Sequence, residues 1–197
     1  MQGSRRVPPL GLAHPGRVFI ATASVILICD QIAKAGARVL LGLGRPVPFV
    51  PGLIRFVLVH NMGAAFGLFP GGRPVFVLTS LLVLFVIAAY WRRARPAQWP
   101  VVIALAMIAG GSVGNLIDRA LVGQVTDFFE FTFVDFPVFN IADIGIVGGV
   151  AVLMVWILFG PQLAEECDDE AQVPEPASEP PHSAAEGPET DRGPLAR

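Results

Sequence analysis

Apolar residues run through this chain in blocks too long for the core of a soluble domain, and the few polar residues inside or beside those blocks carry most of its chemistry. A helix needs about 20 mostly apolar residues to cross a hydrocarbon layer. Four segments reach or approach that length: residues 18–41, 74–91, 96–117 and 141–159. The first is interrupted by Asp30 and Lys34, the second ends on Tyr90 and Trp91, the third carries no charge, and the fourth carries only Asp143, at its start. An aromatic pair such as Tyr90-Trp91 suits the membrane–water boundary. Two further stretches have the look of strands. Residues 49–60 are one; in the other, Phe129, Phe131 and Phe133 alternate with Glu130, Thr132 and Val134. The greasy face of the second has two readings, a small core or a surface laid against lipid or acyl chains. The pattern predicts an all-α integral membrane protein with four transmembrane helices.

Composition strengthens that picture. Of 197 residues, 53% are hydrophobic and 15% charged, with a mean hydropathy of +0.62, which makes the bilayer the expected solvent. The formal charge of -2 hides an asymmetry, because carboxylates crowd the end of the chain. Residues 161–197 are rich in Pro, Glu, Ser and Ala and bury too little apolar surface to fold, so they are expected to form a disordered cytoplasmic tail. The expected organisation is a cytoplasmic segment 1–17, a membrane domain 18–160 and that tail. No basic patch suggests nucleic acid, and Cys29 and Cys167 fall at different depths, so no disulfide is expected. Arg5 and Arg6 ahead of residues 18–29 imitate a secretory signal, but no small-x-small cleavage site follows, and the first span is read as uncleaved.

Orientation follows from arginine. Arg92, Arg93 and Arg95 fill the short link between the second and third spans, which places that link on the cytoplasmic side. Four spans then put both termini inside, in agreement with Arg5, Arg6 and Arg17. Arg38, Arg45 and Arg55 break the rule, since they fall in the first outer loop.

On this topology the unusual polar residues converge. At about 1.5 Å per residue, Asp30 sits roughly 20 Å from the inner surface, with Lys34 a turn further out. Asn61 precedes the second span, Asn115, Asp118 and Arg119 end the third, Asp127 lies in the following loop, and Asn140 and Asp143 open the fourth. Each has a bland reading. Asp30 and Lys34 form a structural i, i+4 pair, Asp118 and Arg119 pair at a helix end, and Asn115 bonds a neighbouring helix. Carboxylates in spans cost about 2.5–3.5 kcal/mol on insertion scales, however, and five separate segments reaching one membrane level point to function. Gly110 with Gly114, and Gly145 with Gly149, make small-residue faces that let the third and fourth spans approach.

Taken together, the stretches Asp30-Gln31-Ile32-Ala33-Lys34, Asn61-Met62-Gly63-Ala64-Ala65-Phe66, the run from Gly110 to Arg119, Val125-Thr126-Asp127-Phe128 and Phe139-Asn140-Ile141-Ala142-Asp143 resemble lipoprotein signal peptidase, or signal peptidase II. The resemblance covers about residues 18–160. It implies an aspartic endopeptidase of the bacterial inner membrane that cleaves prolipoproteins on the N-terminal side of a diacylglyceryl-modified cysteine. It also implies a small extracytoplasmic β-element, an active site at the extracytoplasmic face, no metal or other cofactor, and lipid-modified precursors and membrane lipid as partners of a monomer. Its catalytic pair maps onto Asp127 and Asp143, and its substrate contacts onto Asp30, Asn61, Asn115, Asp118, Arg119 and Asn140.

The chemistry fits those residue types. Hydrolysing an amide without metal or side-chain nucleophile takes a base to activate water and an acid to protonate the leaving group. Two close carboxylates sharing one proton supply both. Asp127 takes the proton from water while Asp143 bonds the scissile carbonyl, or the reverse; the sequence leaves both open. Rival readings fare worse. Residues 110–114 spell G-x-S-x-G, but Ser112 lies inside a span and not on a strand-to-helix elbow. There is no H-E-x-x-H, and three scattered histidines make a poor zinc site. A proton-coupled transporter would place its acids at the midplane and show internal repeats. A non-catalytic assembly factor would leave the acids as structural partners.

Overall fold

A computed structural model describes residues 14–62 and 73–170, with side chains as far as residue 160. Seven elements follow in order: α1 (Pro15–Leu40), β1 (Val47–Val50), β2 (Ile54–Asn61), α2 (Arg73–Ala94), α3 (Trp99–Leu121), β3 (Val125–Phe131) and α4 (Ile141–Glu170). All four helices contain stretches long and apolar enough to cross a membrane, as the hydropathy pattern predicts.

Helix boundaries follow local chemistry more than hydropathy. Proline in the first turn opens both α1 and α3, where a missing N–H costs nothing. That is why α3 begins at Trp99 and not at residue 96: Arg95 has a positive φ of 44° ahead of Pro96, which turns the chain between α2 and α3. The far end of α3 passes residue 117 and closes on Gly123, whose φ of 87° lets its N–H reach the Asp118 carbonyl at 3.0 Å. Asp118 and Arg119 therefore sit in the last helical turn. The fourth helix continues to Glu170, since the Leu-Ala-Glu-Glu run from Leu163 suits a helix although not a bilayer. The chain divides after Pro161, and residues beyond 170 lie outside the described part, as do residues 1–13 and Gly63, Ala64, Ala65 and Phe66 of the second motif.

Helix α3 is the inner helix. Most of it is buried, whereas α1, α2 and α4 leave apolar side chains such as Ile28, Phe85 and Ile157 open on their outer faces. Ile87, Val101, Leu105, Ile108 and Ala109 form a core on one side of α3, joined by Phe19 and Trp156. Close approach on the other side depends on glycine. A Cβ on Gly111 would strike the Ala142 carbonyl of α4, and one on Gly149 would lie 2.7 Å from the Ala104 carbonyl of α3. Gly110, by contrast, faces Ala23 of α1, so the small-residue faces bring α1 as well as α4 onto α3.

The three strands form one antiparallel sheet in the order β1-β2-β3, which bears out the β-element. It meets the C-terminal end of α1, where Ala37, Leu58 and Phe128 make a second small core. Phe129 and Phe131 stack on Phe139 at 5.6 and 5.1 Å, while Phe133 lies beyond the strand and is exposed. The reading as a small core holds for Phe129, which is half-buried, while Phe133 is open.

Candidate active site

Where the C-termini of α1 and α3 meet the N-terminus of α4 and the start of β3, the polar residues of the five motifs come together. Asp127, placed by β3, is 2% exposed. Its two oxygens accept from the amides of Asn140, at 2.6 Å, and Asn61, at 2.9 Å. Asn61 ends β2, directly across the ladder from Val125. Asp143 stands at the third residue of α4 and is half-buried. It accepts from the side-chain amide of Asn115 at 2.8 Å and from the backbone N–H of Asn140 at 3.1 Å.

Asn140 joins the two acids. It is the N-cap of α4: its Oδ1 accepts from the Asp143 backbone N–H at 3.0 Å while the Asp143 carboxylate takes the Asn140 N–H, a reciprocal capping box. The amide Nδ2 left over points at Asp127. One fully buried residue, by its side chain and its backbone N–H, therefore fixes both carboxylates relative to each other.

Behind the pair lies a buried ionic cluster. Lys34, wholly buried, spends its three donors on Asp30 at 2.9 Å, Asp118 at 3.3 Å and Asn115 Oδ1 at 2.9 Å. Because an ammonium only donates, this last bond fixes the Asn115 amide with its nitrogen toward Asp143. Asp30 also accepts the Ala142 N–H at 2.9 Å, capping α4 from another helix, and Gly114 leaves room for it, since a Cβ there would lie 2.5 Å from Asp30 Oδ2. Asp118 holds the Thr126 N–H at 3.0 Å and the Arg38 guanidinium at 3.0 Å, so its partners are Lys34, Arg38 and β3, not Arg119. Among the described residues no buried side-chain polar atom is left without a partner.

Arg119 is half-exposed on the open side of the site. It reaches the Asn115 carbonyl at 3.5 Å, lies over the Phe76 ring at 5.2 Å, and feels the charges of Asp143, Asp127 and Asp118. Asp127 lies outside the helices, and its carboxyl is pushed up to about 6, first by burial and then by the neighbouring Asp143, against the pull of the Asn61 and Asn140 amides. A carboxyl protonated in that range beside a second carboxyl is equipped to share one proton and to act on a water between them.

All eight residues singled out in the sequence gather here, in two layers. Asn61, Asn140, Asn115 and Arg119 surround Asp127 and Asp143; Asp30 and Asp118 stand behind, their oxygens already engaged. Arg38 and Thr126 were overlooked. The signal was present: Asp30, Lys34 and Arg38 recur at intervals of four and share one face of α1.

Comparison with known proteins agrees with this geometry. The family described as "Signal peptidase (SPase) II" matches residues 22–159. The lipoprotein signal peptidase of Brevibacillus brevis is 38% identical over 137 residues, covering 70% of this chain and 92% of that protein. That of Mycobacterium avium is 38% identical over 152 residues, covering 73% and 80%. A solved bacterial membrane enzyme superposes with a TM-score of 0.69 at 27% identity, over 72% of this chain and 88% of the other.

Proposed function

Because the chain belongs to the signal peptidase II family, a family of proteases, we propose that Asp127 and Asp143 are the catalytic pair with which it cleaves lipoprotein precursors. The protein is a membrane endopeptidase that removes signal peptides from prolipoproteins, on the N-terminal side of the lipidated cysteine. The observation that carries the assignment is the double role of Asn140, whose side chain and backbone hold one carboxylate each.

In the mechanism we favour, Asp127, the more enclosed acid, holds the shared proton and hydrogen-bonds the scissile carbonyl. Asp143, the more open, takes a proton from water as the water oxygen attacks the carbonyl carbon. The tetrahedral intermediate collapses as the amide nitrogen leaves with a proton from the acid pair, so one water is consumed and the pair returns to one shared proton. Arg119 and Asn61, at the open rim, are the residues proposed to meet the substrate backbone. Asn115 and Asn140 orient the acids. Asp30 and Asp118 support the site from behind.

The substrate proposed is a precursor whose cysteine carries a diacylglyceryl group, processed by a monomer in the bacterial inner membrane. Pro15, Arg92 and Arg95 line one hollow at the end of the bundle opposite the acids, so both termini are proposed to be cytoplasmic and the acids to face outward. Of the three exceptions, Arg38 belongs to the last turn of α1 and not to a loop, and pairs with Asp118; Arg55 pairs with Glu130, which leaves Arg45 as the exception without an ion pair among the described residues.

The test is reconstitution in vesicles with one precursor prepared with and without the diacylglyceryl group. Mass spectrometry should find cleavage immediately before the cysteine in the lipidated form alone. Equal cleavage of both forms, or a cut elsewhere, would reject the proposed specificity.

A further inference from the structure

The hydrogen bonds behind Asp127 end on Arg38, a residue with no part in the reaction described above. From α1, one full turn beyond Lys34, its Nε donates to Thr126 Oγ1 at 2.9 Å and its Nη2 to Asp118 Oδ1 at 3.0 Å. The second oxygen of Asp118 accepts the Thr126 backbone N–H at 3.0 Å. Arg38, Asp118 and Thr126 therefore close a ring across α1, α3 and β3. Thr126 is wholly buried and immediately precedes Asp127.

Successive side chains of a strand point to opposite faces. Pinning Thr126 on one face by both its hydroxyl and its N–H sets the direction in which Asp127 leaves the other, toward Asn61 and Asn140. The bond also needs a guanidinium. Two N–H groups of a planar fork reach acceptors on two different elements, whereas an ammonium is a single point of charge. The charges behind the pair balance, Lys34 and Arg38 against Asp30 and Asp118, and Arg38 is the outermost of the four, with a third of its side chain exposed.

We infer that Arg38 is a positioning residue for the catalytic pair, holding Asp127 in place through Thr126 and cancelling the charge of Asp118 behind it. The inference rests on the proposed role of Asp127. Charged groups near Asp127 are Asp143 on α4, Asp30, Lys34 and Arg38 on α1, and Asp118 and Arg119 on α3. On the sheet, His60 pairs across from Thr126 and is exposed, and Glu130 is taken up by Arg55.

The experiment measures kcat and KM against pH for the full chain in vesicles, on a diacylglyceryl precursor, for R38K, R38M and T126V. R38K keeps the charge and loses the fork; T126V keeps the shape and loses the acceptor. Both should lower kcat by about 10- to 100-fold with KM little changed and the descending limb of the pH profile unmoved. R38M should lose as much kcat and also move that limb upward by about half a unit or more, since the cluster behind the pair is left with a net negative charge that makes Asp127 hold its proton more tightly. Unaltered kcat in R38K and T126V, or an R38M profile superposable on wild type, would overturn the inference and leave Arg38 a structural brace. D127N, run alongside, separates the two readings. If it is inactive while the Arg38 variants behave as wild type, only this inference fails; if it is active, the catalytic assignment fails and takes the inference with it.

Discussion

Asp127 carries a cost in the folded protein that its proposed role explains. Almost fully enclosed and beside a second acid, its carboxyl titrates at about 6, against an ordinary 3.8. The fold therefore favours the protonated form. Between about pH 4 and 6 the folded state binds more protons than the unfolded chain, so stability falls as pH rises through that window, by about 3 kcal/mol for a shift of this size. Asp127→Asn removes the titration. It should abolish cleavage yet raise thermal stability at neutral pH by about 1 kcal/mol, after the disturbance to the Asn61 and Asn140 bonds is counted, and should flatten the dependence of stability on pH between 4 and 6. Thermal unfolding in detergent across that range checks it; a D127N variant less stable than wild type at pH 7 would contradict the desolvation argument. In the wild type, the descending limb of kcat/KM should lie near 6, and that of kcat higher, because bound substrate excludes water from Asp127.

At the scale of elements, the proposed catalytic pair is attached to a helix terminus. Asn140 caps α4 and holds both acids, so Asn140→Ala should lose about 1–2 kcal/mol of stability and nearly all cleavage together. Gly114→Ala should separate the elements differently. Its Cβ would press on the buried Asp30 carboxylate, which the Lys34 pair and the Ala142 N–H keep from moving aside, so about 1–3 kcal/mol should be lost without loss of membrane insertion. Those elements differ in how plainly the sequence announces them. Spans are legible because hydropathy over some 20 residues overwhelms local detail. Their ends are not, since Pro100 in the first turn of α3 and Gly123 after its last turn set the boundaries, and neither alters the hydropathy. The acids could be found because a carboxylate in an apolar run is conspicuous. Arg38 was not, because a lone arginine near a helix end looks like a solvated charge until its partners, 80 and 88 residues away in sequence, are seen.

Across the whole molecule, the proposed active site lies at one end of the inner helix α3, and Pro15, Arg92 and Arg95 line a hollow at the other. The family match stops at residue 159 and the chain divides after Pro161, so the acid-rich tail lies outside the region that matches the family. Ending the chain after Glu170 should leave cleavage of a lipidated precursor within about twofold of wild type, a change too small to count against the transition state. The central claim is that two acids, brought together from β3 and α4, act on one water. Single-turnover cleavage by D127N, D143N and the double variant, each confirmed in the membrane, tests it most directly. Residues acting as a unit are not additive. Each single change should reduce the rate by about a thousandfold or more, and the double should be no slower than the worse single. Substantial cleavage by either single variant, or losses that multiply in the double, would contradict the account.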